Sequence, residues 1–144
     1  MRYMLDTNIC IYLAKRHPPE VRAKFATLSL GDAVMSALTL GELLHGIERR
    51  PATYATNMRV LDALRERVPV VEFGEEAAAA YAWIAAKLAR SERNAVDCQI
   101  ASHALSLDVA LVTNNERDFA GFALASVLRV ENWVRAQACS SKEF

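Results

Sequence analysis

Glycine and proline are scarce in this chain, five and four among 144 residues. None of the glycines forms a phosphate-cradling loop, which argues against a dinucleotide-binding oxidoreductase. Cysteine is scarcer still. Cys10, Cys98 and Cys139 are odd in number, far apart and without a CxxC pair, so they support neither a disulfide framework nor a thiolate metal site, and reduced thiols are expected. Apolar residues make up 53% of the chain, yet no uninterrupted run approaches the ~18 needed to cross a bilayer. Asp6 and Asn8 interrupt the only early apolar stretch, so no secretory leader is expected and the protein should be soluble and cytoplasmic. Net charge is absent too: 17 basic and 17 acidic residues cancel, so bulk electrostatics do not announce a nucleic-acid partner. His17, His45 and His103 stand isolated in the sequence, which argues against a metal-independent ribonuclease using histidine as acid and base.

What is present is enough for one domain with a proper core. Apolar runs of strand length alternate with longer segments of helical period, the pattern of βαβ units and a parallel sheet. Strands are expected at residues 2–5, 33–36, 68–73, 109–113 and 127–130. Residues 53–67 place Met58, Leu61 and Leu64 on one face, and residues 75–90 do the same with Ala77, Tyr81, Ile84 and Leu88, so both predict amphipathic helices. Pro18 and Pro19 end a first helical segment and suit the first turn of the next, residues 20–26, because the missing N–H is not needed there. Pro51 closes a helix that begins near Leu38. Residues 113–119 either contribute to a ligand shell or form a polar turn capped by Asn and Asp. The last ten residues, 135–144, have little periodicity and are expected to form a flexible tail to a domain spanning 1–134.

Three acidic residues lie where apolar elements end, and burial there is costly without a partner. Asp6 follows the first strand, at the carboxyl edge where ligands bind in open parallel sheets, though it would also cap the helix after it. Glu42 falls in the first turn of a helix and could close a capping box with Thr39. Asp97 opens a helix of Ala and Leu and could also merely cap. In a doubly wound sheet all three would gather at one edge. Carboxylates ~4 Å apart repel by about 1 kcal/mol per pair in water and several times that near a protein surface, so they need protons or a cation. A hard divalent ion, Mg²⁺ or Mn²⁺, suits an all-oxygen site. After the fourth strand, Asn115, Glu116 or Asp118 could complete the shell. Basic groups at Lys15-Arg16-His17, Arg49-Arg50 and Lys87 with Arg90 and Arg93 could touch phosphate, or simply be solvated faces. Asp6 also stands where an aspartyl-nucleophile phosphatase would have its nucleophile, but such enzymes want a second Asp two residues on, where Asn8 stands.

Taken in order and spacing, Leu5-Asp6-Thr7-Asn8, Ser36-x-x-Thr39-x-x-Glu42-Leu43, Asp97-x-x-Ile100-Ala101 and Thr113-Asn114-Asn115 with Asp118-Phe119 resemble the PIN-domain proteins, specifically the VapC toxins of bacterial VapBC toxin–antitoxin pairs. The closing Leu128-Arg129-Val130-Glu131-Asn132-Trp133 is similar to that family's last strand. The resemblance implies a three-layer α/β/α sandwich with a central parallel sheet, Mg²⁺- or Mn²⁺-dependent cleavage of RNA, a homodimer, and inhibition by a cognate VapB-like antitoxin. It carries Asp6, Glu42 and Asp97 over as the acidic site, with Thr7, Asn8 and Thr113 as supporting polar groups. The chain departs from the family at Asn115, where many relatives have Asp, so the Asn115 amide oxygen or the Asp118 carboxylate is expected to substitute. It departs again before Asp97, where the approach is shorter and lacks glycines. Structured tRNA, initiator tRNA by analogy, is the expected substrate. Tyr12, Leu13, Leu40, Leu44 and Ile47 are candidates for an antitoxin groove, or for plain core. The rival is a catalytically inactive PIN-like module that binds RNA or protein.

Overall fold

The computed structural model describes residues 1–89 and 95–134. Five short strands, β1 (Tyr3–Leu5), β2 (Ala33–Ser36), β3 (Val70–Val71), β4 (Ala110–Val112) and β5 (Val130–Glu131), pair in parallel in the order β3-β2-β1-β4-β5. Between them run α1 (Thr7–Lys15), α2 (Pro19–Ala26), α3 (Ala37–Glu48), α4 (Tyr54–Arg67), α5 (Glu75–Ala85), α6 (Ala95–Ser106) and α7 (Glu116–Ala125), with a 3-10 turn at Pro51–Thr53.

Strands β1 and β4 are apolar and buried throughout, because both sheet faces are covered there. Tyr3 and Leu5 enter one core with Ala33, Met35, Ala110 and Val112; Met4, Val34 and Leu111 enter the other. The first core is closed by Ile9 and Cys10 of α1, Val21 and Phe25 of α2, and Leu64 of α4. The second is closed by Ile84 of α5, Ile100 and Ala104 of α6, and Phe119 and Phe122 of α7. Two cores on opposite sides of one sheet make the α/β/α sandwich. Each large apolar side chain so buried stabilises the fold by roughly 1.5–3 kcal/mol. Trp133 seals the first core, 1% exposed and edge-on to Tyr3 with ring centroids 5.4 Å apart.

The chain steps outward from β1 to β2 to β3, then returns past β1 to build β4 and β5. The order therefore reverses between β1 and β4, and an open parallel sheet has its ligand crevice outside the carboxyl ends at such a reversal. The Asp6 N–H donates to the Val112 carbonyl at 3.0 Å, joining those two ends.

Several expected boundaries move. The strand expected at 68–73 shrinks to Val70–Val71, because Val68 still donates to Leu64 as the cap of α4 and Pro69 has no N–H for the ladder. The strand expected at 127–130 lies later, at Val130–Glu131; Val127, which drew the reading forward, is 86% exposed. The helix expected at 75–90 ends at Ala85 and tightens into a turn in which Lys87 and Leu88 donate to Ile84 and Ala85, while residue 90 lies outside the described residues. Of residues 113–119, 113–115 precede α7 and 116–119 open it, with Asn115 at its cap position and Glu116 and Asp118 in its first turn. The expected tail, 135–144, lies outside the described residues, as does Cys139; Cys10 and Cys98 are both buried. Among the described residues, no helix is long and apolar enough to cross a membrane.

Candidate active site

Asp6 sits one residue beyond β1, 6% exposed. The cap reading holds. Its Oδ1 accepts the Ile9 N–H at 2.9 Å as the N-cap of α1, and its carboxylate also faces Glu42. Burial pushes the Asp6 carboxyl above its ordinary range and the Glu42 charge adds to this; hydrogen bonds from Thr113 and from the Ile9 and Asn8 backbone pull it back. Thr113, just past β4, is fully buried; its Oγ1 also accepts the Asn115 N–H at 2.9 Å, which fixes the hydroxyl beside Asp6.

Glu42 is not part of a capping box. Ser36 caps α3 instead, its Oγ accepting the Leu38 N–H at 3.2 Å, and Thr39 lies inside the helix with a buried hydroxyl that has no partner among the described residues. Glu42 accepts a hydrogen bond from the Thr7 hydroxyl. Thr7 thus ties the carboxylate of α3 to the start of α1.

Asp97 lies in the first turn of α6, and its carboxyl is pushed up to about 6, first by burial and then by the charges of Asp118, Glu42 and Asp6 in that order. That electrostatic reach brings all four carboxylates into one neighbourhood. Among the described residues no Lys or Arg forms an ion pair with any of the four. Nor do any three of them already close around one point among the described residues. The donor set is all oxygen and anionic, which fits a hard divalent ion that keeps several of its waters.

Of the two weaker candidates, Asp118 is the one that bears on Asp97, as the largest of its charge neighbours. Asn115 is exposed, and its recorded contacts are through its backbone. The Asp118 signal was available in the sequence: Asn followed by two acidic residues within three positions marks a helix start, and one turn of helix returns the third residue to the same edge.

Beside Glu42 a groove of about 360 Å³ runs between α1, α3 and α4, lined by Cys10, Ile11, Leu43, Ile47, Leu61 and Leu64 with Lys15 and Arg50 at its margin. Of the expected groove residues Ile47 lines it, while Tyr12, Leu13 and Leu40 pack against the first core. The Lys87 Nζ lies 3.1 Å from the Trp83 ring centroid on an exposed face. Arg90 and Arg93 lie outside the described residues.

A parallel sheet reversing between β1 and β4, with carboxylates gathered at that reversal, defines a class of acidic-site α/β proteins, and comparison narrows it. The PIN domain profile matches residues 3–124. The chain is 37% identical over 135 residues to the tRNA(fMet)-specific endonuclease VapC of Shigella flexneri, covering 92% of this chain and 98% of that one. It is 35% identical over 136 residues to Ribonuclease VapC2 of Haemophilus influenzae, covering 93% and 99%. Its fold matches the solved structure of VapBC-1 from nontypeable Haemophilus influenzae with a TM-score of 0.79 at 35% identity, covering 93% of this chain and 99% of that one. The chain belongs to the PIN-domain family and, among its members, to the VapC ribonucleases.

Proposed function

We propose that this chain is the toxin of a type II toxin–antitoxin pair, an endoribonuclease dependent on Mg²⁺ or Mn²⁺ that cuts tRNA and so inhibits translation. The observation that carries the reading is the charge coupling of Asp97 to Asp118, Glu42 and Asp6 at the carboxyl edge, with no Lys or Arg among the described residues forming an ion pair with any of the four. Asp6, Glu42 and Asp97 are the catalytic carboxylates and hold the ion, with Asp118 ahead of Asn115 as the further ligand. When bound, the ion supplies Lewis acidity toward a phosphodiester oxygen and a water of lowered pKa. The chain's own groups do the rest. Asp6 is oriented by Thr113 and by the first-turn N–H groups of Ile9 and Asn8. Thr7 orients Glu42.

The name of the Shigella relative supports initiator tRNA as the substrate. Solved neighbours are VapBC assemblies, which supports a VapB-like antitoxin as partner, and the largely apolar groove beside Glu42, with Lys15 and Arg50 in its lining, suits such an occupant. We further propose a homodimer working in the cytoplasm, with residues 1–134 as the nuclease domain and 135–144 as its tail. An inactive binding module is not favoured, because the relatives carry ribonuclease names.

The test is incubation of the purified chain with total RNA and tRNA, with and without Mg²⁺ or Mn²⁺, beside Asp6→Ala and Asp97→Asn. Discrete fragments that need metal and vanish in both variants support the reading. Cleavage undiminished in excess EDTA, or a folded wild type that cuts nothing, overturns it.

A further inference from the structure

His103 lies on α6, six residues beyond Asp97, and is 1% exposed. Its Nδ1 is 2.9 Å from the Oγ of Ser36, the residue that both ends β2 and caps α3. The ring also hydrogen-bonds the Glu72 backbone, and Phe73 meets it edge-on at 5.4 Å. Donation to the Glu72 carbonyl leaves Nδ1 to accept the Ser36 proton, while the Ser36 oxygen accepts the Leu38 N–H at 3.2 Å. One buried imidazole therefore links α6 to the β2–α3 junction and to the chain just after β3. Burial lowers the affinity of this imidazole for a proton, in keeping with a neutral, fully used ring.

These links connect the two elements that carry Asp97 and Glu42. Glu42 is six residues from Ser36 along α3, and Asp97 is six from His103 along α6. Six helical residues span about 9 Å of stiff backbone, so the bond between Ser36 and His103 fixes the offset between the two carboxylates. The other buried residues of α6 are Cys98, Ile100, Ala101 and Ala104, which are apolar, and Ser102, whose hydroxyl donates to the Cys98 carbonyl of the same helix and so makes no hydrogen bond to α3. Apolar burial is non-directional, and a directed hydrogen bond adds a specific register constraint to it. A slip of one residue moves a helical side chain by about 1.5 Å and turns it by about 100°.

We propose that Ser36 and His103 are positioning residues of the carboxylate site, their buried hydrogen bond setting the register of α6 against α3 and hence the placing of Asp97 relative to Glu42 and Asp6. This rests on the metal-site reading above. Neither residue touches the ion or the substrate.

The experiment is a calorimetric Mn²⁺ titration of the full chain, without RNA, for wild type, Ser36→Ala, His103→Leu, His103→Asn and the Ser36→Ala/His103→Leu double variant, with melting in EDTA alongside. Ser36→Ala and His103→Leu are each expected to weaken Mn²⁺ about 10-fold, the scale of lost outer contacts to ligands, and the double variant no more than either. His103→Asn, whose amide still reaches Ser36, stays near wild type. In RNA cleavage the loss falls on kcat rather than KM. If His103→Leu fails to fold, Ser36→Ala against His103→Asn carries the same contrast. Wild-type uptake left unchanged in every folded variant, with only the melting temperature lowered, overturns the positioning role alone. A wild type that takes up no Mn²⁺ overturns the metal site and this inference with it.

Discussion

The hydroxyl of Thr7, first residue of α1, donates to the carboxylate of Glu42 on α3, joining two elements at the edge where Asp6 follows β1. The pair is exposed, so its loss costs the fold little, of the order of 0.5–1.5 kcal/mol. Its worth lies in aiming Glu42. Thr7→Val is expected to melt near wild type while Mn²⁺ binding weakens roughly 10-fold, read by melting and calorimetry on the same preparation.

Thr113→Val removes the hydroxyl that lowers the Asp6 carboxyl and leaves the Asn115 N–H without its acceptor. The Asp6 carboxyl then rises further. A ligand must lose its proton to bind metal, so the pH midpoint of Mn²⁺ uptake is expected to move upward, with stability lower by about 1–3 kcal/mol for the unsatisfied donor. A pH series of titrations checks the first and denaturant unfolding the second.

Asp97 has a definite sign in the metal-free protein. Its carboxyl is raised from 3.8 to about 6 in the folded chain, so between those values the folded state holds more protons than the unfolded one. Stability with EDTA is therefore expected to fall as pH rises through that window, and the loss persists above it. Asp97→Asn should flatten this part of the profile, and saturating Mn²⁺ should reverse its slope. Melts at closely spaced pH values read all three.

Asp118→Asn is expected to weaken metal binding and to lower the Asp97 carboxyl toward its ordinary value, since Asp118 is its foremost charge neighbour. Asn115→Ala is expected to change neither. Calorimetry on the two variants side by side separates them, and the reverse pattern would restore the amide as the ligand.

Much of this was legible because strands buried on both faces leave short apolar runs that few other structures produce. Tyr3–Leu5 and Ala110–Val112 were visible for that reason, as were Asp6 and Thr113 just beyond them. Val127 misled because an apolar residue carries no mark of exposure, and the ladder that decides the strand comes from Leu111 and Thr113 donating to Arg129 and Glu131. Pro69 was a local signal for the shortened β3, outweighed by the valines around it. Glu42 could not be assigned from its own neighbours, since Thr39 at capping-box spacing and Thr7 far upstream compete equally on paper. Asp118 was legible as a candidate but could not be ranked against Asn115 and Glu116 from the sequence, and the His103–Ser36 contact was hidden by a sequence separation of 67.

The most direct test of one shared divalent site is electron paramagnetic resonance of Mn²⁺ at neutral pH with wild type, Asp6→Ala, Glu42→Gln and Asp97→Asn, since the free-ion signal falls as the ion is bound. Wild type is expected to quench it with saturable binding, and each variant to restore most of the free signal while still folded. Quenching by all three variants equal to that of wild type would contradict the claim that Asp6, Glu42 and Asp97 hold the ion.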